Sequence, residues 1–135
     1  MKYLLIIIGC FILLYASLFI GISRTVEDRE GVSPINTELL LKMQQVESSG
    51  NPRAISNRGA VGLYQIRPAI WSRDLKKAGI IKSKQCLFNP AKNEASAKYV
   101  LHHYWGKTLD MRKTLHRYSG GMKGYYERVQ NATGH

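Results

Sequence analysis

Glu47 is a carboxylate placed where burial would make it hold its proton. It follows Leu40, Met43 and Val46 at helical spacing, nearly in line with Leu40 and beside Met43 on a wheel of 3.6 residues per turn. Lys42, Gln44 and Gln45 take the wetter side. A carboxyl group so placed is either a structural acceptor for the next loop or a general acid whose charged form is disfavoured by burial. The residues after it tip the balance toward the second. Ser48, Ser49, Ser56, Asn57 and Gln65 supply hydroxyls and amides, and Gly50, Gly59 and Gly62 let backbone approach a ligand closely. Such a set suits the reading of sugar hydroxyl and acetamido groups.

Several helices must position these residues. The Glu47 helix is expected to stop at Gly50-Asn51-Pro52, where glycine and asparagine tolerate a left-handed cap and proline cannot continue the ladder. Arg67 to Ile80 reads as a helix opened by Pro68, with Ile70, Trp71, Leu75 and Ala78 inward. Lys82 to Phe88 reads as irregular. Asn89-Pro90 is a helix start, a capping side chain followed by proline in the first turn. From there Ala91, Ala95, Ala97, Val100, Leu101, Tyr104 and Trp105 form an apolar stripe up to Gly106. Asp110 to Tyr118 is a shorter helix with Met111, Leu115 and Tyr118 in phase, ended by Ser119-Gly120-Gly121. Lys123 to Gln130 allows a last turn or two on Tyr125, Tyr126 and Val129. Strand alternation is limited to a short hairpin-like pairing around Val61 to Ile66.

The chain of 135 residues has room for one small domain and an appendage. Residues 1–22 read as the appendage, since Tyr3 to Ile22 is an uncharged apolar run of bilayer-spanning length. Lys2 before it predicts an inward amino terminus and an exported domain. No Ala-x-Ala site follows, so an uncleaved anchor is expected over a signal peptide. Residues 23–36 form a polar linker and 37–135 the folded domain. The formal net charge of +11 falls on that domain, where 17 Lys and Arg face 6 Asp and Glu. Such a balance favours polyanionic surroundings: acidic cell wall, anionic lipid or nucleic acid. No nucleic-acid motif is present, so no specific nucleic acid is expected. Cys10 and Cys86 are too unlike in setting to staple the domain. His102 and His103 point to different faces of any helix. No metal or other cofactor is expected.

Most glycosidases place two carboxylates across the scissile bond, about 5 Å apart when configuration is retained. The other acids of the domain are Glu38, Asp74, Glu94, Asp110 and Glu127. Glu38 lies nine residues before Glu47, on the opposite helix face, and the rest have mostly polar neighbours. None reads as a partner for Glu47.

Glu47-Ser48-Ser49, Asn51-Pro52, Ala54, Ser56, Gly59-Ala60, Gly62-Leu63 and Gln65 together resemble the signature of the family 1 lytic transglycosylases, the soluble-lytic-transglycosylase-like domains. Leu87-Phe88-Asn89-Pro90, Asn93 and Ala97-Lys98-Tyr99-Val100-Leu101 are similar to that family's next helix. Leu115-His116-Arg117-Tyr118-Ser119-Gly120-Gly121 resembles its Ala-Tyr-Asn-Ala-Gly motif. The resemblance runs over Thr37 to Val129 and implies an α+β, predominantly helical, lysozyme-like domain, which would follow the single N-terminal transmembrane helix read from the apolar run. It implies that Glu47 serves twice, first as acid and then as base, on the bond between N-acetylmuramic acid and N-acetylglucosamine, leaving a 1,6-anhydro sugar. Ser56, Gly62, Gln65, Tyr118 and Ser119 are then expected at the substrate: Ser56 steadying Glu47 or the acetamido group, Gln65 lining a sugar subsite, Gly62 leaving room for the glycan, and the Tyr118 hydroxyl reaching Glu47 or the acetamido group. From phase alone Tyr118 is a core aromatic.

Ser119 and Gly120 depart from the family's usual asparagine and alanine, and Arg67 stands at a position often apolar there. Two other readings share the sequence: a hydrolytic muramidase on the same scaffold, and an inactive, membrane-tethered wall-binding factor. The expected partners are the peptidoglycan glycan strand and, through the N-terminal helix, the membrane. The expected location is a single-pass inner-membrane protein facing the periplasm, or a virion-associated membrane if phage-encoded. Small size and a tether suggest local wall opening for a secretion system, conjugation channel, pilus or phage entry apparatus, whose proteins would be further partners.

Overall fold

A computed structural model describes residues 34–133, and the expected transmembrane segment and most of the linker lie outside them. Among the described residues no helix is long and apolar enough to cross a membrane. Five α-helices follow in order: α1 (Thr37–Ser48), α2 (Pro68–Lys77), α3 (Pro90–Thr108), α4 (Met111–Tyr118) and α5 (Tyr125–Asn131), with a 3₁₀ turn at Lys84–Phe88 before α3.

Each start is set by local chemistry. The Asn36 side chain accepts from the Leu39 N–H at 2.9 Å, Asn89 from the Lys92 N–H at 3.1 Å, and Asp110 from the Lys113 N–H at 3.0 Å. Each satisfies an amide that the helix itself leaves unpaired. Pro68 and Pro90 occupy first-turn positions, where the missing N–H costs nothing.

The stop of α1 differs from expectation by one residue. Ser49, not Gly50, takes the left-handed cap at φ 52°, and Gly50 follows at φ 79°. Helix α2 is shorter than predicted, and Ile70 (50 % exposed) and Ala78 face outward. Trp71 and Leu75 alone carry its buried side, because a ten-residue helix lying across a small core presents only about one turn to it. The stretch expected to be irregular forms the 3₁₀ turn and buries Leu87. Helix α3 runs past Gly106 to Thr108. Ala91 is exposed, while Asn93 and Ser96 sit on the buried side among Ala97, Val100 and Leu101.

Helix α3 packs against the 3₁₀ turn and α4, and α5 packs against α1 and α4. The fully buried Met43, Leu75, Leu87, Leu101, Leu115 and Val129 meet in the core, each about 1.5–3 kcal/mol of apolar burial. Between α1 and α2 the chain is held by two isolated antiparallel bridges, Ile55 with Val61 and Val61 with Ile66. They are the only β pairing among the described residues, so the sheet is reduced to a pinched loop at the position expected for a hairpin.

Candidate active site

That loop and the end of α1 form one wall of a cleft, and the turn after α4 forms the other. The cleft, about 400 Å³, is lined by Glu47, Ser56, Gln65, Arg67, Tyr118 and Ser119 among others. Four of the five expected substrate contacts therefore come together beside the expected acid. A second concavity of about 320 Å³ between α4 and α5 contains only Glu127 as a carboxylate. Glu127 is ion-paired to Arg112, so that concavity has no free acid to do chemistry.

Glu47 is half-buried on the last turn of α1. Burial raises its carboxyl above the ordinary value of 4.5, against opposing pulls from the Tyr125 hydrogen bond, Arg128 and Arg67. The Tyr125 hydroxyl donates to Glu47 Oε1 at 2.5 Å. With Oε1 so occupied, Oε2 is the oxygen left to carry the acidic proton. Burial and the nearby Glu47 both push the Tyr125 phenol far above its usual range, so it remains a donor.

The remaining described carboxylates are engaged elsewhere. Glu38 pairs with Lys42 at 2.9 Å, Glu94 with Lys98 at 2.6 Å, Asp74 with Arg73 at 3.6 Å, and Asp110 caps α4. None of them lines the cleft. Among the described residues no three His, Cys, Asp or Glu side chains group as a metal site requires.

The supporting residues take partly different roles from those expected. Ser56 Oγ accepts from the Ala60 N–H at 3.0 Å, folding the loop that borders the cleft. Gln65, in a left-handed conformation at φ 49°, donates its Nε2 to the carbonyls of Ala54 (3.2 Å) and Gly62 (3.0 Å). Its Oε1 is thereby left as the group available to a ligand. Ser119 Oγ donates to the His116 carbonyl at 2.9 Å and accepts from the Met122 N–H at 3.1 Å, so it shapes the turn at the cleft wall.

Two residues sit apart from the contacts expected of them. Tyr118 is buried and its hydroxyl donates to the Tyr64 carbonyl at 2.7 Å, not to Glu47. A buried phenol must find an acceptor, and the loop backbone supplies it. Gly62 does not line the cleft. A Cβ there would lie 2.3 Å from Asn93 Nδ2 and 2.5 Å from the Leu87 carbonyl oxygen, so the space it leaves is filled by Asn93 and not by a glycan.

Sequence reasoning missed Tyr125 as a partner of Glu47 and Asn93 as the loop's anchor. Tyr125 reads as one more apolar residue of a short helix, and its only signal is that a buried tyrosine needs a hydrogen-bond partner. Asn93 is a polar residue on the buried stripe of α3, a signal that was present in the spacing.

Comparison with known proteins bears on this arrangement. The family model described as Transglycosylase SLT domain matches residues 25–134. The membrane-bound lytic murein transglycosylase C of Histophilus somni (strain 2336) is 48% identical over 62 residues, covering 44% of this chain and 17% of that protein. Its counterpart in Mannheimia succiniciproducens is 38% identical over 86 residues, covering 61% of this chain and 23% of that one. The chain thus spans less than a quarter of the length of these curated relatives. The crystal structure of the 70 kDa soluble lytic transglycosylase SLT70 from Escherichia coli superposes with a TM-score of 0.58 at 23% identity, over 72% of this chain and 16% of that one. That likeness supports the helical, lysozyme-like fold.

Proposed function

Because the chain belongs to the Transglycosylase SLT domain family, we propose that it is a lytic transglycosylase, cleaving the β-1,4 bond between N-acetylmuramic acid and N-acetylglucosamine in peptidoglycan. The observation that carries this reading is a single carboxyl, raised by burial and gripped on one oxygen by Tyr125, facing a cleft with no second described acid.

In this mechanism Glu47 Oε2–H protonates the glycosidic oxygen, and the bond from that oxygen to the muramoyl anomeric carbon breaks. The N-acetylglucosamine side leaves with the proton as a free hydroxyl. The substrate's own acetamido oxygen supports the cationic carbon, so no second carboxylate is needed. Glu47, now ionised, takes the proton from the muramoyl 6-hydroxyl, whose oxygen closes on the anomeric carbon as a 1,6-anhydro ring. The acid is restored and no water is consumed. A carboxyl whose proton affinity is raised suits both halves of this cycle, since it must give and regain a proton near neutrality. Gln65 Oε1 accepts from a sugar hydroxyl or acetamido N–H, while Ser56 and Ser119 shape the two walls. Tyr118 ties α4 to the loop.

The test is the product. Peptidoglycan digested by the purified chain is expected to give muropeptides lighter by one water than the reducing products of a hydrolase. Reducing ends alone would replace this reading with a muramidase.

Tyr125→Phe probes the acid's grip. The Tyr125 hydrogen bond favours the ionised carboxylate, so losing it raises the carboxyl further. Activity on free enzyme requires Glu47 protonated, hence the alkaline limb of kcat/KM is expected to move to higher pH. Turnover falls about tenfold, since the acid half of the cycle must then form a less stable carboxylate.

The relatives' names include "membrane-bound". We extend this to the chain: residues 3–22 act as a single-pass inner-membrane anchor that holds the domain at the periplasmic face of the wall. An anchored domain this small suits local opening of peptidoglycan for an envelope-crossing apparatus.

A further inference from the structure

Arg67 and Gly120 both depart from the pattern the sequence otherwise resembles, and the fold brings them into contact. Arg67 precedes α2 at the edge of the cleft, and Gly120 lies in the turn after α4 at φ 75°. A Cβ on Gly120 would stand 3.0 Å from Arg67 Nη2, 3.1 Å from Nη1 and 3.3 Å from Cζ. A side chain at position 120 would therefore push the guanidinium away, besides straining a left-handed backbone. The bare glycine is the shelf on which the planar cation rests.

The seat leaves the cation available. Arg67 is half-buried and lines the same cleft as Glu47. Its guanidinium forms no ion pair with any described carboxylate, since those that pair do so with Lys42, Arg73, Lys98, Arg112 and Lys113. Glu47 feels its field, but that carboxyl is engaged by Tyr125. A half-desolvated guanidinium offers a rigid fork of donors matched to a carboxylate, and leaving it unfilled wastes the desolvation already incurred.

We propose that Arg67, seated on Gly120, is an anion subsite taking a carboxylate carried on the 3-O substituent of the muramoyl sugar, so that the cleft selects acid-bearing glycan over neutral glycan. This rests on the transglycosylase reading above. The carboxylate has two possible sources: the lactyl group itself where no peptide is attached, or the attached peptide.

The full chain, Arg67→Met and Arg67→Lys are assayed on three glycans: peptide-bearing strands, peptide-free strands with free lactyl carboxylates, and peptide-free strands whose lactyl carboxylates are converted to methyl amides. The readout is kcat/KM on each acidic glycan divided by that on the neutral one, a ratio from which general damage to the fold cancels. Arg67→Met is expected to lower at least one ratio about tenfold, mainly through KM on the acidic glycan, as for loss of a charge-assisted bidentate contact. Arg67→Lys recovers part of it. A fall confined to peptide-free strands assigns the lactyl carboxylate, and one confined to peptide-bearing strands assigns the peptide. If both ratios stay constant, the proposal is overturned whatever the absolute rates do. Failure of the reaction class is distinguishable, because it would appear as no anhydro product from the unsubstituted chain on any of the three.

Discussion

Glu47→Gln is expected to lower turnover on peptidoglycan by about 10⁴-fold while making the folded domain more stable at neutral pH. The loss sits at the upper end of general acid–base contributions because one group performs both proton transfers. The gain follows from the sign of the shift. Burial raises the folded-state carboxyl above its ordinary value of 4.5, so between the two values the folded state binds more protons than the unfolded state. Stability is complete below the ordinary value, falls as pH rises through the raised one, and stays lower above it. Glutamine removes the cost of ionising at this position yet keeps an oxygen to accept from Tyr125. Urea unfolding of both proteins from pH 4 to 8 should therefore show curves that diverge with rising pH, the variant the more stable above the window. An active Glu47→Gln, releasing anhydro products at the original rate, would remove this residue from the chemistry.

What could be read in the chain divides along the range of the interactions involved. Glu47 is legible because the evidence for its setting lies within one helix, in the spacing of Leu40, Met43 and Val46. The cap at Asn89 is legible for the same reason, being a contact three residues long. Tyr125 meets Glu47 across 78 residues of chain, and nothing in the local pattern of Tyr125-Tyr126-Glu127 announces which carboxylate will receive its hydroxyl. The resemblance expects Gly62 to leave room for a glycan, whereas the fold sets Asn93 in the space it leaves, because a small residue records that something is close and not what that something is. Arg67 and Gly120 look like two unrelated departures until the fold sets one upon the other. Ile70 shows the opposite failure: it keeps helical phase with the core residues and is still exposed, since α2 turns too little of itself inward.

Asn93→Leu should unfold the domain more easily than any single cleft substitution, by about 3 kcal/mol. Asn93 is wholly buried and binds three backbone groups: its Oδ1 accepts from the Tyr64 N–H at 2.8 Å, and its Nδ2 donates to the carbonyls of Val61 (2.9 Å) and Leu87 (2.8 Å). Leucine fills similar volume and satisfies none of them. The Val61 carbonyl keeps its bond from the Ile66 N–H, so the Tyr64 amide and the Leu87 carbonyl bear most of the loss, at about 1–3 kcal/mol for each stranded group. Function falls with it, because the pinned segment carries Gln65 and presents the carbonyls that receive Ser48 Oγ and the Tyr118 hydroxyl. Gly62→Ala should cost a similar amount by driving a methyl into the same asparagine. A double-mutant cycle separates that clash from plain backbone strain at φ 80°. If the methyl meets the asparagine side chain, Gly62→Ala becomes less damaging by about 1–2 kcal/mol in an Asn93→Ala background, where two of the three crowding atoms are gone. If the costs simply add, the damage lies in the backbone and the Leu87 carbonyl, and the asparagine has room to spare.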